Sequence, residues 1–171
     1  MAHIVFLRGV NVGGNKVFRP AQLARALKHL DVVNIGAAGT FVVRARSKSS
    51  DIEREIAKRL PFYCEIIVRP AHEVRTLVDA KPFDGVAFRR DLRGWVGVMA
   101  KKPAASLELP YLVPKGAEWA LRVDRIDGRY AFGMWRPTRF VIPSNELEKV
   151  LGVRATVRWW ETYERICRAM A

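Results

Sequence analysis

The chain has 171 residues, half of them apolar, so it is long enough to bury a core as one domain or as two small ones. It carries 30 Lys and Arg against 17 Asp and Glu, and this net charge of +13 favours nucleic acid or phosphate-bearing ligands as partners. No apolar run approaches the roughly 18 residues of a membrane span, and Arg8 interrupts the short apolar stretch at the start, which argues against a signal peptide. The sequence therefore predicts a soluble, cytoplasmic protein with no membrane partner.

The first 80 residues alternate between short apolar runs and amphipathic stretches. Strands are predicted at Ile4–Leu7, Val32–Ile35, Thr40–Arg44 and Cys64–Arg69, with a helix at Pro20–Leu30. Ser50 followed by Glu53 reads as a capping box, which predicts that a second helix begins there. The resulting order is βαββαβ, followed by a connecting helix near residues 71–80.

The second half repeats this scheme less regularly. A strand is predicted at Trp95–Ala100, a short helix at Ala104–Leu109, a hairpin over 119–135 that turns at Asp127-Gly128, and helices at Ser144–Leu151 and Val157–Met170. Each half places two strands side by side without a helix between them. The pattern therefore predicts an α+β fold of two tandem ferredoxin-like halves with mainly antiparallel sheets. The expected boundaries are 1–80, a connecting stretch at 81–94, and 95–171 with the terminal helix.

A glycine-rich loop from Arg8 to Lys16 follows the first strand and is dense in polar residues. Successive amide N–H groups at Gly13 and Gly14 could form a concave anion-binding nest, with Arg8 and Lys16 supplying charge. The loop is one residue longer than a P-loop, and Val17 stands where a magnesium-binding Ser or Thr would follow the lysine. The competing interpretation is a tight turn whose glycines supply positive φ, with both cations merely solvated.

Both ends of the chain resemble one bacterial family. Phe6 to Lys16 is similar to the LLRGINVGG(K)N(K) opening of domain of unknown function 1697, and Ala155 to Thr162 resembles its closing aTxRNWNT segment. The resemblance implies tandem ferredoxin-like halves and brings no established activity. The residues that match the family are Arg8, Asn11, Gly13, Gly14, Thr156, Arg158, Trp160 and Thr162.

Two segments depart from that family pattern. Residues 34–43 retain Gly39 but lose the polar Gln-Ser that the family has before it, and Trp159 and Glu161 replace asparagines. If those amides belong to a ligand site, this chain binds something different or has lost binding. The alternative for the closing segment is that Thr156 caps a helix and Trp160 lies in the core.

The predicted site is an anion-binding cluster without a catalytic residue, in which the opening loop and the closing segment share one anion. Its members are Arg8, Asn11, Gly13, Gly14, Asn15, Lys16 and Arg158. Neither cysteine nor histidine residues show metal-ligand spacing, so no metal and no cofactor is predicted. Cys64 and Cys167 are expected to be free and buried.

No catalytic motif is present, and the favoured function is non-catalytic binding of nucleic acid, a nucleotide or phosphate through the loop. One alternative is an enzyme that acts on a phosphorylated or nucleotide-like small molecule. Another is an assembly module anchored by an exposed Trp95, Trp119 or Trp159. The segment 129–135 also resembles an RNA-stacking motif through Tyr130 and Phe132, although core or hairpin packing is the favoured role of both rings. The sequence does not indicate an oligomeric state.

Overall fold

A computed structural model describes all 171 residues, and the chain divides into two compact units. The first comprises 1–81 with 162–171, and the second comprises 82–161. The sequence-based boundaries place a connecting stretch at 81–94 and the terminal helix in the second half. In the structure, most of that helix groups with the first unit. None of the helices is both long and apolar enough to cross a membrane.

The first unit is built on a four-stranded antiparallel sheet. Its elements are β1 (His3–Leu7), α1 (Pro20–Ala26), a 3-10 turn (Lys28–Leu30), β2 (Val32–Asn34), β3 (Thr40–Val43), α2 (Ser49–Ala57), β4 (Ile66–Pro70) and α3 (Ala71–Asp79). The strand order β2-β3-β1-β4 is that of a ferredoxin-like unit and confirms the predicted βαββαβ pattern. The capping box is wrong, because α2 begins at Ser49 after Lys48 and has no side-chain cap.

One face of this sheet forms the core with α1 and α2. Val5 and Leu7 of β1 belong to this core together with apolar residues of both helices, among them Leu23 of α1 and Ile52 of α2. Because side chains alternate along a strand, Phe6 points to the opposite face, where its ring stacks on Tyr163 at a centroid distance of 5.8 Å. This contact belongs to the C-terminal helix, α5 (Trp160–Ala169).

The second unit carries a five-stranded antiparallel sheet. Its elements are β5 (Arg93–Met99), β6 (Tyr111–Val113), β7 (Leu121–Asp127), β8 (Tyr130–Trp135), α4 (Pro143–Leu151) and β9 (Ala155–Trp159), in the sheet order β6-β7-β8-β5-β9. Four strands repeat the order of the first unit, and β6 is added at the edge. The predicted helix at Ala104–Leu109 is wrong, since those residues form no regular element and β6 follows them.

Two further predictions for the second unit need correction. The hairpin is confirmed, but Asp127 pairs with Tyr130, so the two turn residues are Gly128 and Arg129. The predicted helix at Val157–Met170 begins only at Trp160, because residues 155–159 pair with β5 as strand β9. Thr156 is therefore a buried strand residue and not a helix cap. Trp95, Met99 and Leu147 are among the fully buried residues of this unit's core.

Candidate functional site

The loop from Arg8 to Lys16 leaves the central strand of the first unit and is tied down on both sides. The amide of Leu7 donates to the carbonyl of Gly39 at 2.8 Å, and the amide of Arg8 donates to the carbonyl of Glu65 at 3.0 Å. After the loop, the Phe18 ring makes an edge-to-face contact with Phe62 at 5.8 Å between centroids. The loop is thus fastened to the segment before β3 and to the segment before β4.

The outer part of the loop is a miniature hairpin. The amide of Asn11 donates to the carbonyl of Lys16 at 3.2 Å, and the amide of Asn15 donates to the carbonyl of Val12 at 3.0 Å. Gly13 and Gly14 form the tip with φ of 57° and 77°, the pair of positive values that a type I′ turn requires. The turn thus explains both glycines. Their exposed amide N–H groups have no acceptor within the protein.

Asn11 holds this hairpin in place. Its Nδ2 donates to the carbonyl of Ala37 at 2.8 Å, and its Oδ1 accepts from the amide of Phe18 at 2.9 Å. Its φ of 53° lies in the left-handed region, which asparagine tolerates better than most residues. Both ends of the Asn11 amide are therefore used within the protein, which gives this predicted site residue a structural role.

Lys16 is the exposed cation of the loop. It forms no ion pair, and its φ of 48° is held by the hydrogen bond that its carbonyl accepts from Asn11. Burial raises the pKa of the nearby Cys64 thiol above the usual value, while the positive charge of Lys16 acts in the opposite direction. The loop therefore carries an unneutralised ammonium group at Lys16 in addition to the two free amide N–H groups at its tip. Asn15 is exposed at the same turn.

Arg165 of α5 is a cation of the first unit that the sequence interpretation missed. A Cβ at Gly36 would stand 3.4 Å from its Nη1 atom, so the guanidinium lies against the 36–39 segment that Asn11 also contacts. Arg165 forms no ion pair, and Glu161, four residues before it, lies 3.7 Å from Arg93. Nothing in the sequence connects residue 165 with residue 36, because the two meet only through tertiary packing.

Arg158, the remaining predicted site residue, lies in the second unit on β9. Its side chain is only 7% exposed, and its Nη1 donates to the Thr156 hydroxyl at 2.7 Å and to the Val157 carbonyl at 3.0 Å. The expectation that it shares an anion with Arg8 stays a prediction. The surroundings of Arg158 are those of a buried, hydrogen-bonded strand residue.

The family model of a protein of unknown function, DUF1697, matches residues 1–108, which is more than half of the chain and includes the whole loop. The chain belongs to the DUF1697 family. The conserved bacterial protein SP0830 from Streptococcus pneumoniae has the same fold, with a TM-score of 0.62 and 14% identity over 99% of this chain and 98% of its own. No curated protein matches the sequence.

Two other predicted functional features of this DUF1697 protein are buried. Tyr130 and Phe132 are each only 7% exposed, so their rings are packed inside the protein and are not an open stacking platform for bases. Trp95 is fully buried, which makes it wrong as an exposed anchor for a partner. Trp159 is half-buried and stacks on Trp135 at 5.0 Å, with Arg93 over its ring at 4.4 Å.

Proposed function

We propose that this DUF1697 protein is a non-catalytic binder of a phosphate-bearing ligand, held at the tip of the Arg8–Lys16 loop. The observation that carries this proposal is the hairpin, in which the amide N–H groups of Gly13 and Gly14 at the tip have no acceptor and Lys16, two residues after the tip, has no counter-ion. Phosphate oxygens accept from backbone N–H groups and attract ammonium groups, so one phosphate satisfies both needs. Arg8, at the base of the loop, adds positive charge.

The rigidity of the loop supports binding. Since Asn11 fastens the hairpin to Ala37 and Phe18, the donors at the tip are held in place before a ligand arrives, which reduces the ordering cost of association. The tip itself is exposed, so it does not exclude water from a bound phosphate as phosphoryl-transfer sites do. These features favour recognition of a phosphate over chemistry on it. Asn11 then supports the site without touching the ligand, and the buried Arg158 is left out.

Substitution of Lys16 by asparagine tests the proposal. Asn removes the charge and tolerates the positive φ at this position, so the hairpin should survive. Lys16→Asn should weaken binding of a fluorescein-labelled oligothymidylate by on the order of tenfold, which corresponds to the loss of one charge-assisted hydrogen bond. Fluorescence anisotropy at low salt measures the affinity.

Lys28→Asn is the matched control, because Lys28 is an exposed lysine of the same unit and its removal changes the net charge equally. Equal affinities of the two variants would mean that the oligonucleotide responds only to net charge, and the loop would revert to a structural turn.

A further inference from the structure

An open groove in the second unit gathers the start of β5, the start of β7 and the end of β8. Its volume is about 560 Å³, within the range of small-molecule sites, and Arg89, Arg90 and Arg136 line it. The three strand ends come together because Arg93 pairs with Trp135 on one side of β8 and Leu121 pairs with Trp135 on the other. The groove is formed by the sheet topology and lies entirely within residues 82–161.

Arg136 is held rigidly at the wall of this groove. Its guanidinium lies 3.8 Å from the centroid of the Trp119 ring, and Nη1 donates to the carbonyls of Ala117 and Trp119 at 2.9 and 3.1 Å. These partners are neutral, and Arg136 forms no ion pair. Its Nε and Nη2 groups make no hydrogen bond within the protein. A positioned guanidinium with free donors and an uncompensated charge is suited to an anion.

The other arginines leave the groove with a positive excess. Arg89 is paired with Asp91 at 3.1 Å, within a short turn closed by two hydrogen bonds between Arg89 and Leu92. Arg90, which lies between Arg89 and Asp91 in sequence, is exposed and forms no ion pair. One carboxylate therefore faces three guanidinium groups, and the two that it does not neutralise are Arg90 and Arg136.

Apolar side chains complete the lining. Leu92, Met134, Pro137 and the Trp119 ring provide a surface that an inorganic anion would not need, and the groove is far larger than one phosphate group. An aromatic ring with a phosphate attached would use both parts, since flat rings pack on aromatic, thioether and guanidinium groups while the phosphate takes the free donors.

We infer that this groove binds a nucleoside phosphate, with the phosphate on Arg136 and Arg90 and the base over the apolar lining. The ligand is either a free nucleotide or one nucleotide of a single strand. The inference is independent of the loop proposal, because the groove and the loop lie in different units and share no residue.

Titration calorimetry with adenosine monophosphate, adenosine and inorganic phosphate tests the inference on the full chain. The monophosphate should bind more tightly than either fragment. Arg136→Gln should weaken it about tenfold, as expected for one charged hydrogen bond, and Arg90→Gln by several-fold. Arg154→Gln, which removes an exposed arginine of the same unit, should leave the affinity unchanged.

Titration with a short oligoadenylate distinguishes a free nucleotide from one nucleotide of a single strand as the ligand. Binding of the oligomer much more tightly than of the monophosphate, with the same loss in Arg136→Gln, assigns the groove to a nucleic acid strand, whereas similar affinities assign it to a free nucleotide. Equal binding of adenosine and its monophosphate, or equal affinities of Arg90→Gln, Arg136→Gln and Arg154→Gln, would overturn the inference. Arg90 is exposed and without a partner, so its variant stays informative even if Arg136→Gln disturbs the fold.

Discussion

Gly39 allows the Arg8–Lys16 loop to pack closely against the segment before β3. Its φ is 74°, and a Cβ there would lie 2.7 Å from Cγ2 of Val10 and 2.8 Å from Cβ of Leu7. The close approach lets the Leu7 amide reach the Gly39 carbonyl at 2.8 Å, which closes the base of the loop against the segment before β3. The retained family glycine at this position thus has two physical reasons: a left-handed backbone and no room for a side chain.

Gly39→Ala should therefore lower the free energy of unfolding by about 2–4 kcal/mol, the sum of the left-handed penalty and an overpacking penalty. Gly9→Ala is the matched control, since Gly9 also has a positive φ of 68° but open space around its Cβ position, and it should cost only about 1–2 kcal/mol. Urea denaturation followed by circular dichroism compares the two variants. If both lose the same amount, the contacts with Val10 and Leu7 do not matter.

Among the helices and strands, the local sequence pattern predicted the elements that are stabilised by residues close to them in sequence. The apolar stripe of α4 and its stop at Gly152, with φ of 64°, follow from helical spacing and from the preference of glycine for the left-handed cap. Residues 104–109 contain good helix formers, yet a six-residue helix gains too few hydrogen bonds to offset its nucleation cost without tertiary support. The same limit explains the missed strand at 155–159, where Val157, Trp160 and Tyr163 share helical spacing but pairing with β5 determines the structure.

The features of the loop and of the groove also differ in whether a local sequence pattern predicts them. The glycine turn of the loop was visible in the sequence, because Gly13-Gly14 is a local signal. The engagement of Asn11 with Ala37 and the groove around Arg136 were not, since both depend on residues brought together by the sheets.

The C-terminal helix is the element whose place could not be read from the sequence, and it can be tested. Tyr163 is fully buried and stacks on Phe6, so Tyr163→Ala should destabilise the first unit by about 3–5 kcal/mol, as large aromatic truncations do. Hydrogen exchange should accelerate in β1, β3 and β4 more than in β7 and β8. The exposed Arg168→Ala on the same helix is the control and should leave all five strands protected. Uniform acceleration in both sheets, or in the second sheet alone, would contradict the grouping of α5 with the first unit.

At the scale of the whole molecule, the charge of +13 is shared, because both units carry more basic than acidic residues. Such a charge attracts any polyanion, so weak binding of nucleic acid would not by itself identify a site. The salt dependence of the affinity distinguishes binding at a defined site from attraction by the net charge alone. For a single strand, the slope of log affinity against log salt changes by about 0.7 for each phosphate contact, so a strand held at the loop that loses Lys16, or at the groove that loses Arg136, should show a slope smaller in magnitude by about 0.7.

The double variant Lys16→Asn with Arg136→Gln is compared with Lys28→Asn with Arg154→Gln, which removes the same charge from the same two units. Anisotropy titrations of labelled oligothymidylate over a range of salt concentrations give both slopes. We expect the first double variant to have a shallower slope, and the second to have a slope close to that of the unmodified protein. The reason is that counterions are released only where a side chain contacts a phosphate, whereas the net charge acts on the strand wherever the charges lie. If the two double variants have equal slopes, the strand senses only the overall charge, and neither the loop nor the groove contacts its phosphates.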